Sequence, residues 1–163
     1  MEKPIRILVV SSDSSAWATG LAALRALPGV ELLAAVGDGA EALRRVARRR
    51  PDLVLMDLLL PGRSGLQIGA ALKRRPSAPR VVLVSLGNGS VYARKTREFG
   101  IDGVVGRSDL AAEMPALLDK LFPGRLPRRT PRIVPADDAA TPGPGARGAP
   151  EPGEPTLRSA AGR

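Results

Sequence analysis

Residues 51–62 read PDLVLMDLLLPG, and this stretch does more than any other to determine the fold of the chain. An unbroken apolar run over residues 53–56 ends at an acidic residue, Asp57. Residues 5–10 and 81–84 form similar runs that are rich in β-branched side chains. Strands without polar alternation are covered on both faces, as in a parallel sheet between two layers of helices. The stretch therefore predicts a central strand of such a sheet, with Asp57 at its end.

Five such runs recur along the first part of the chain at a nearly constant spacing. They begin 23 to 27 residues apart, which suits repeated strand-plus-helix units better than hairpins. Between them the apolar period lengthens to that of helices. The pattern predicts an α/β fold with a doubly wound, five-stranded parallel sheet. The runs begin at Ile5, Val30, Leu53, Arg80 and Gly103, and the predicted core positions on helices are Trp17, Leu21, Leu24, Tyr92, Thr96, Phe99, Leu110, Met114, Leu117 and Leu121.

The composition of the chain changes after Phe122. Residues 123–163 contain nine prolines and six glycines among 41 residues, and only four large aliphatic side chains. So few apolar groups cannot offset the entropy of ordering the segment. The sequence predicts one folded domain over residues 1–122 and a disordered Pro/Gly/Arg-rich tail over residues 123–163. A chain that ends near Phe122 is accordingly expected to keep the thermal stability of the whole.

The residue types present exclude several classes of chemistry. The chain has no cysteine and no histidine, which removes disulfides, thiol nucleophiles, Cys/His zinc sites and histidine-based triads. Its 25 Lys and Arg against 16 Asp and Glu give a net charge of +9. Aromatic side chains make up only 2% of the chain, too few for a surface that stacks single-stranded nucleic acid. No segment is apolar for the length of a signal peptide or a membrane span, so we expect a cytoplasmic protein.

The functional groups of a doubly wound sheet lie where its parallel strands end. In this sequence two hydroxyls and an acid follow the first predicted strand, and an acid ends the third. A hydroxyl ends the fourth strand and a cation follows the fifth. Because these strand ends meet along one edge, we expect the side chains to form one pocket. In chain order they are Ser11, Ser12, Asp13, Asp57, Ser85 and Arg107.

The sequence resembles the receiver domain of bacterial two-component response regulators over about residues 4–122. The resemblance is carried by residues 5–10 (IRILVV), 51–62 and 99–103 (FGIDG). Residues 27–31, LPGVE, are most similar to receivers that precede LuxR-type helix-turn-helix domains, although no such domain follows in this sequence. The resemblance implies the flavodoxin-like receiver fold and a role in signal transduction.

The resemblance also implies roles for the residues of the predicted pocket. In receivers the aspartate that ends the third strand accepts a phosphoryl group, and a serine or threonine ends the fourth strand. Asp57 and Ser85 match these two positions. An acidic pair after the first strand holds Mg²⁺ in the family, but Ser11 and Ser12 occupy that position here. A lysine follows the fifth strand in the family, and Arg107 replaces it.

These departures from the family pattern change the charge of the pocket. Three carboxylates and a lysine sum to about −2, which a divalent cation neutralises through oxygen ligands, whereas Asp57 and Arg107 alone sum to about zero. Serine hydroxyls replace carboxylates poorly, and an arginine can pair with an aspartate through a bidentate fork. We therefore expect a pocket closed by its own salt bridge, without a metal. Asp13 is the one acid that could still reach the pocket, and Val104 replaces the usual switching aromatic of the fifth strand.

Simpler interpretations of the same residues stay open. Ser11 and Ser12 also suit a loop that begins a helix, and Ser85 suits the polar end of a buried strand. In these interpretations Asp57 does no more than cap a turn, and Arg107 is a solvated charge near the start of a helix. A run of arginines in the second predicted helix favours a solvated face, with an acidic partner or a phosphate backbone as the less favoured alternative. The run comprises Arg44, Arg45, Arg48, Arg49 and Arg50.

The function favoured by these residues and this resemblance is that of a stand-alone, atypical receiver domain. It would act by protein-protein contact, without catalysis and independently of Mg²⁺-dependent phosphorylation. Expected partners are a histidine kinase or another regulator, with a homodimer as an option, and neither a membrane nor a specific nucleic acid. The alternatives are a receiver that takes a phosphoryl group from a histidine kinase on Asp57, with Mg²⁺, and a basic nucleic-acid-associated protein. The resemblance assigns the contact surface to the fourth helix, fifth strand and fifth helix, including Tyr92, Arg94, Lys95, Val104 and residues 110–121.

Overall fold

Helices and strands alternate along the part of the chain that the computed structural model describes, residues 3–127. The five strands begin at the five predicted positions, so the predicted α/β fold is confirmed. The strands are β1 (Ile5–Val10), β2 (Val30–Leu32), β3 (Leu53–Asp57), β4 (Arg80–Ser85) and β5 (Gly103–Gly106). The helices are α1 (Ala18–Arg25), α2 (Gly39–Arg49), α3 (Gly65–Lys73), α4 (Ala93–Glu98) and α5 (Leu110–Leu121).

The five strands form one parallel sheet in the order β2-β1-β3-β4-β5. β3 lies at its centre, where Met56 is paired with Val10 on one side and Leu83 on the other. Parallel neighbours need a crossover connection, and a helix supplies each one here. The strand order reverses between β1 and β3, which is the place where such sheets bind ligands outside the carboxyl ends of the strands. Asp57, the last residue of β3, lies at this point.

Two apolar layers cover the sheet, one on each face. Leu53 and Leu55 belong to the layer that contains α1 and α5, and the alternate residues of the same strand belong to the layer of α2 and α3. Trp17 is the largest side chain of the first layer and is 1% exposed. Ile68 of α3 is equally buried in the second. A strand packed on both faces has no solvent side, which explains the unbroken apolar run of β3.

Two aromatic residues that the sequence assigns to the core are exposed instead. Tyr92 is 39% exposed and Phe99 is 43% exposed. Tyr92 ends a 3-10 turn before α4, and Phe99 follows the last residue of that helix, so Thr96 alone of the three predicted positions is buried. A 3-10 turn advances by about 120° per residue instead of about 100°, which rotates Tyr92 off the predicted face. In α5 the fully buried positions are Leu110, Met114 and Leu118, whereas the predicted Leu117 and Leu121 are half-buried at the margin of the core.

The chain continues to contact the domain beyond α5. Arg125 donates a hydrogen bond to Asp52 Oδ1 at 3.0 Å and others to two main-chain carbonyls near the amino terminus. Leu126 packs against the layer of α1 and α5. Residues 123–127, assigned to the tail by composition, therefore pack on the fold through contacts with residues distant in sequence. The rest of the predicted tail, residues 128–163, lies outside the described residues.

α2 carries the predicted arginine run, and part of that run is neutralised within the helix. Asp38 accepts a hydrogen bond from the Glu41 amide at 2.8 Å and caps the first turn. Glu41 forms ion pairs with Arg44 at 2.8 Å and Arg45 at 3.0 Å. Its pKa is lowered by the hydrogen bonds from these two guanidinium groups. Within residues 3–127, no helix is both long enough and apolar enough to cross a membrane.

Candidate functional site at the carboxyl edge of the sheet

Asp57 ends β3 in a confined position between β1 and β4. Asp57 is 6% exposed. The residue after it is held on both sides: the Leu58 amide donates to the Val84 carbonyl, and the Leu58 carbonyl accepts from the Gly65 amide, both at 2.8 Å. A Cβ atom at Gly65 would collide with the Asp57 carbonyl oxygen. Glycine is thus required where α3 begins, and this close approach fixes the backbone that carries the aspartate.

Ser11 is the residue of the predicted serine pair that contacts Asp57. It is 5% exposed, and its Oγ lies 3.4 Å from Asp57 Oδ2, a long hydrogen bond for a hydroxyl donor. The same Oγ accepts a hydrogen bond from the Asp13 amide at 3.2 Å. Ser12 is exposed and takes part in no side-chain hydrogen bond within the described part of the chain. Only the first serine is therefore brought to the acceptor position.

Arg107 reaches Asp57 from the edge strand. One terminal guanidinium nitrogen lies 3.7 Å from Asp57 Oδ2, while the arginine side chain is 27% exposed and the aspartate side chain 8%. This is an ion pair through a single nitrogen and not the bidentate fork predicted from the sequence. β4 separates β5 from β3, so the side chain must cross two strand spacings, roughly 9 to 10 Å, and arrives by its tip alone. Within residues 3–127, the Arg107 Nε is buried without a hydrogen-bond partner.

Asp13 does not take the place of the missing acidic pair. Its carboxylate accepts a hydrogen bond from the Ser15 hydroxyl at the start of the turn Ser14–Trp17. That bond is the main reason why the pKa of Asp13 is lowered, and the charge of Arg107 adds a smaller effect in the same direction. Among the described residues, no hydrogen bond joins Asp13 directly to Asp57.

Ser85 is buried at the end of β4, but its hydroxyl is directed along its own loop. It is 1% exposed and donates to the Gly87 carbonyl at 2.6 Å, with the Val105 carbonyl further away at 3.4 Å. In this arrangement the hydroxyl closes the turn after β4. This hydrogen bond agrees with a polar end of a buried strand, one of the two roles that the sequence leaves open.

The residues around Asp57 do not fit a Mg²⁺ ion. Mg²⁺ is bound through hard oxygen ligands, usually including one or two carboxylates in near-octahedral geometry. Here the pocket offers one carboxylate and the Ser11 hydroxyl, and the guanidinium of Arg107 lies against the same oxygen that faces the serine. Within residues 3–127, no group of three or more His, Cys, Asp or Glu residues could hold a metal ion. The positive charge next to Asp57 is supplied by the protein itself.

The surface beside this pocket is more apolar than the sequence indicates. Of the predicted contact residues, Arg94 and Lys95 of α4 are exposed and Val104 of β5 is half-buried. Close by in the chain, Leu86 is 62% exposed and Val91 is 78% exposed. Both residues were absent from the predicted surface. Their signal is the turn sequence Gly87-Asn88-Gly89 between them, which takes the chain away from the core.

Comparison with known proteins identifies the family. The family model described as the response regulator receiver domain matches residues 7–114. The chain belongs to this family. Its place in two-component signalling follows, since receivers of this family interact with kinases or other proteins. The match covers all five strands apart from the first two residues of β1.

The similarity to known proteins covers only part of each chain. A protein-glutamate methylesterase/protein-glutamine glutaminase from Myxococcus xanthus is 40% identical over 82 residues, which are 50% of this chain and 24% of that protein. The DNA-binding transcriptional activator EvgA of Escherichia coli is 30% identical over 80 residues, 49% of this chain and 39% of EvgA. The crystal structure of a LuxR-family response regulator from an Aurantimonas species has 29% identity and a TM-score of 0.65, covering 73% of this chain and 86% of that one. The receiver spans about a quarter to two fifths of the length of these two curated relatives.

Proposed function

We propose that this receiver is an atypical, cytoplasmic signalling domain that works by protein-protein contact and without Mg²⁺-dependent phosphorylation of Asp57. The observation that carries the proposal is the ion pair between Arg107 and Asp57, with 3.7 Å between nitrogen and oxygen. We infer that this guanidinium takes up the space that a receiver needs for a cation and for an incoming phosphoryl group. Catalysis by the chain itself is not part of the proposal.

Electrostatics supports the proposed independence from Mg²⁺-dependent phosphorylation. Phosphoryl transfer depends on positioning and on positive charge that offsets the charge of the transferred group, and a bound divalent cation normally supplies it. Arg107 neutralises the aspartate and, unlike a bound ion, is covalently tied to the backbone after β5. The pocket then has no net negative charge with which to attract Mg²⁺. Asp57 and Arg107 act as a fixed structural pair between β3 and the end of β5.

Exposed apolar side chains support the proposed protein-protein contact. Leu86, Val91 and Tyr92 are exposed on the segment between β4 and α4, beside the cations Arg94 and Lys95. A protein partner, either a histidine kinase or another regulator, would cover these apolar groups and meet the cations with carboxylates. A second copy of the chain that covers the same surface would form a homodimer.

The response of the thermal stability to Mg²⁺ tests the proposal. Any ligand that binds only the native state raises the midpoint of unfolding. We expect the midpoint to be the same with millimolar Mg²⁺ as with Na⁺ at equal ionic strength. A rise with Mg²⁺ that disappears in Asp57→Asn would contradict the proposal and favour a phosphorylatable receiver.

A further inference from the structure

A cleft of about 710 Å³ lies at the opposite edge of the sheet from Asp57. It is bordered by the end of α2, the residues before β3 and the loop between α3 and β4. Its volume falls in the range of small-molecule sites, about 300 to 1,000 Å³. Part of its wall is apolar, formed by Pro51, Pro76, Pro79 and Phe122. None of these residues takes part in the site around Asp57.

The cleft is strongly cationic, because four basic side chains and one acid line it. Lys73 and Arg80 share the carboxylate of Asp102, at 2.9 and 3.0 Å, so one of their two charges is uncompensated. The lining acid, Asp52, is matched by Arg125.

The other two lining cations are Arg50 and Arg75. Neither has a carboxylate within 4.0 Å among residues 3–127. Their two positive charges and the one left over from Lys73 and Arg80 give the cleft a formal charge of +3.

The backbone of the cleft holds a second unusual feature. Within the described residues, the non-glycine residues with positive φ are Arg50 at 44° and Ser77 at 58°, and both line the cleft. Arg50 caps α2 in the left-handed region, where glycine is the usual residue because it has no Cβ. Non-glycine residues held in this region cluster at ligand sites. A charged side chain is thus kept at a position where the fold alone would favour glycine.

We propose that this cleft binds a small polyphosphate anion. Arginine guanidinium groups recognise phosphate oxygens through paired, charge-assisted hydrogen bonds, and several uncompensated cations match the several negative charges of a polyphosphate. The chemistry is shared by inorganic polyphosphate and by nucleoside polyphosphates. A nucleoside would additionally lay its base against the apolar wall of prolines and Phe122. The site goes beyond the proposed signalling function and does not depend on it.

Calorimetric titration of the full chain with sodium tripolyphosphate, and separately with ATP, at physiological salt tests the site. The decisive variant is Arg50→Gly, because glycine adopts the left-handed conformation without strain and the fold is retained or stabilised. We expect this variant to weaken binding by about tenfold, the effect of one lost charge-assisted hydrogen bond. Arg25→Ala is the matched control, since Arg25 is an exposed cation in the layer on the other face of the sheet. It should change affinity by less than about twofold.

Amide chemical-shift changes during the same titration locate the ligand. Changes that centre on the lining residues of the cleft support the site, and tighter binding of ATP than of tripolyphosphate identifies a nucleoside polyphosphate as the source. Absence of binding, equal losses in Arg50→Gly and Arg25→Ala, or shift changes that avoid the cleft would each overturn the proposal. Duplex DNA that binds to the same extent in Arg50→Gly, while tripolyphosphate does not bind, would also overturn it.

Discussion

Arg107 and Asp57 form the contact on which the proposed function rests. One guanidinium nitrogen faces Asp57 Oδ2 at 3.7 Å, and Ser11 Oγ faces the same oxygen at 3.4 Å. A bound metal ion can leave such a position or exchange ligands, whereas the guanidinium is covalently tied to the backbone after β5. Under the proposed function, Ser11 and Ser12 lack the negative charge that a metal requires. The proposal thus rests on three departures from the family pattern, at Ser11, Ser12 and Arg107.

Reversing these three departures should restore a response to metal. The variant Ser11→Asp, Ser12→Asp and Arg107→Lys adds two carboxylates to that of Asp57 and replaces the guanidinium with a lysine, which suits a hard divalent ion. We expect its midpoint of thermal unfolding to rise with millimolar Mg²⁺, measured by scanning calorimetry, while that of the unmodified chain stays constant. Recovery is expected to be partial, because Val104 still occupies the position of the usual aromatic residue.

The double variant Ser11→Asp and Ser12→Asp, with Arg107 retained, is the matched control for this experiment. It separates the two causes, since an arginine that occupies the cation position should keep the response to Mg²⁺ small. A full response in the double variant would show that Arg107 has no part in excluding the metal.

The elements of the sheet are tied together at the amino edge by the largely buried carboxylate of Asp102. Asp102, before β5, accepts hydrogen bonds from Lys73 of α3 at 2.9 Å, from the Val81 amide at 2.8 Å and from Arg80 of β4 at 3.0 Å. Burial acts to raise the pKa of Asp102, but these three hydrogen bonds outweigh it, so the pKa is lowered. One carboxylate thereby joins a helix and two strands.

The Asp102 cluster should make the stability of the fold depend on pH. A carboxylate whose pKa is lowered by folding stabilises the native state above its unfolded pKa of about 3.9, and this contribution disappears as the pH falls through the folded value. We expect Asp102→Asn to lower the free energy of unfolding by about 1 to 3 kcal/mol at pH 7. Urea denaturation at a series of pH values should find this difference shrinking below about pH 4.

The exposed Asp119, which has no cation within 4.0 Å in the described part of the chain, is the control for Asp102. Asp119→Asn should change the free energy of unfolding by less than about 0.5 kcal/mol. A difference between Asp102→Asn and the unmodified chain that stays constant down to acid pH would contradict the electrostatic origin of the effect.

At the scale of the whole molecule, the sequence predicts the sheet well and the local contacts less well. The starts of the strands are predictable because buried parallel strands leave unbroken apolar runs, and Asp57 marks the end of the central one. The exposure of Tyr92 is not predictable from the sequence. A 3-10 turn changes the rotation per residue by a small angle, and no residue type indicates that change. The single-nitrogen ion pair of Arg107 depends on the width of β4 between two strands, and the contacts of Arg125 join segments more than 70 residues apart. The composition of the chain predicts neither the geometry of this ion pair nor these long-range contacts.

The end of the folded domain can be measured by truncation. Composition alone predicts that a chain ending near Phe122 keeps its stability. Because such a chain loses the hydrogen bonds of Arg125 and the packing of Leu126, we expect instead that its free energy of unfolding falls by about 1 to 3 kcal/mol. A chain that ends after Pro127 should keep the thermal midpoint of the full protein, because the composition of residues 128–163 offers little to bury. Full-length Arg125→Ala should reproduce most of the first loss. Equal midpoints for the chain ending at Phe122 and the full chain would contradict this boundary.

The most direct test of the central claim is the intact mass of the full chain after incubation with acetyl phosphate and Mg²⁺. With Arg107 against Asp57 and no acidic pair to hold the cation, nothing offsets the charge of the incoming phosphoryl group. We predict an unchanged mass for the unmodified chain under conditions that phosphorylate a conventional receiver run in parallel. A mass increase of one phosphoryl group that is abolished by Asp57→Asn would contradict the account and make this chain a phosphorylatable receiver.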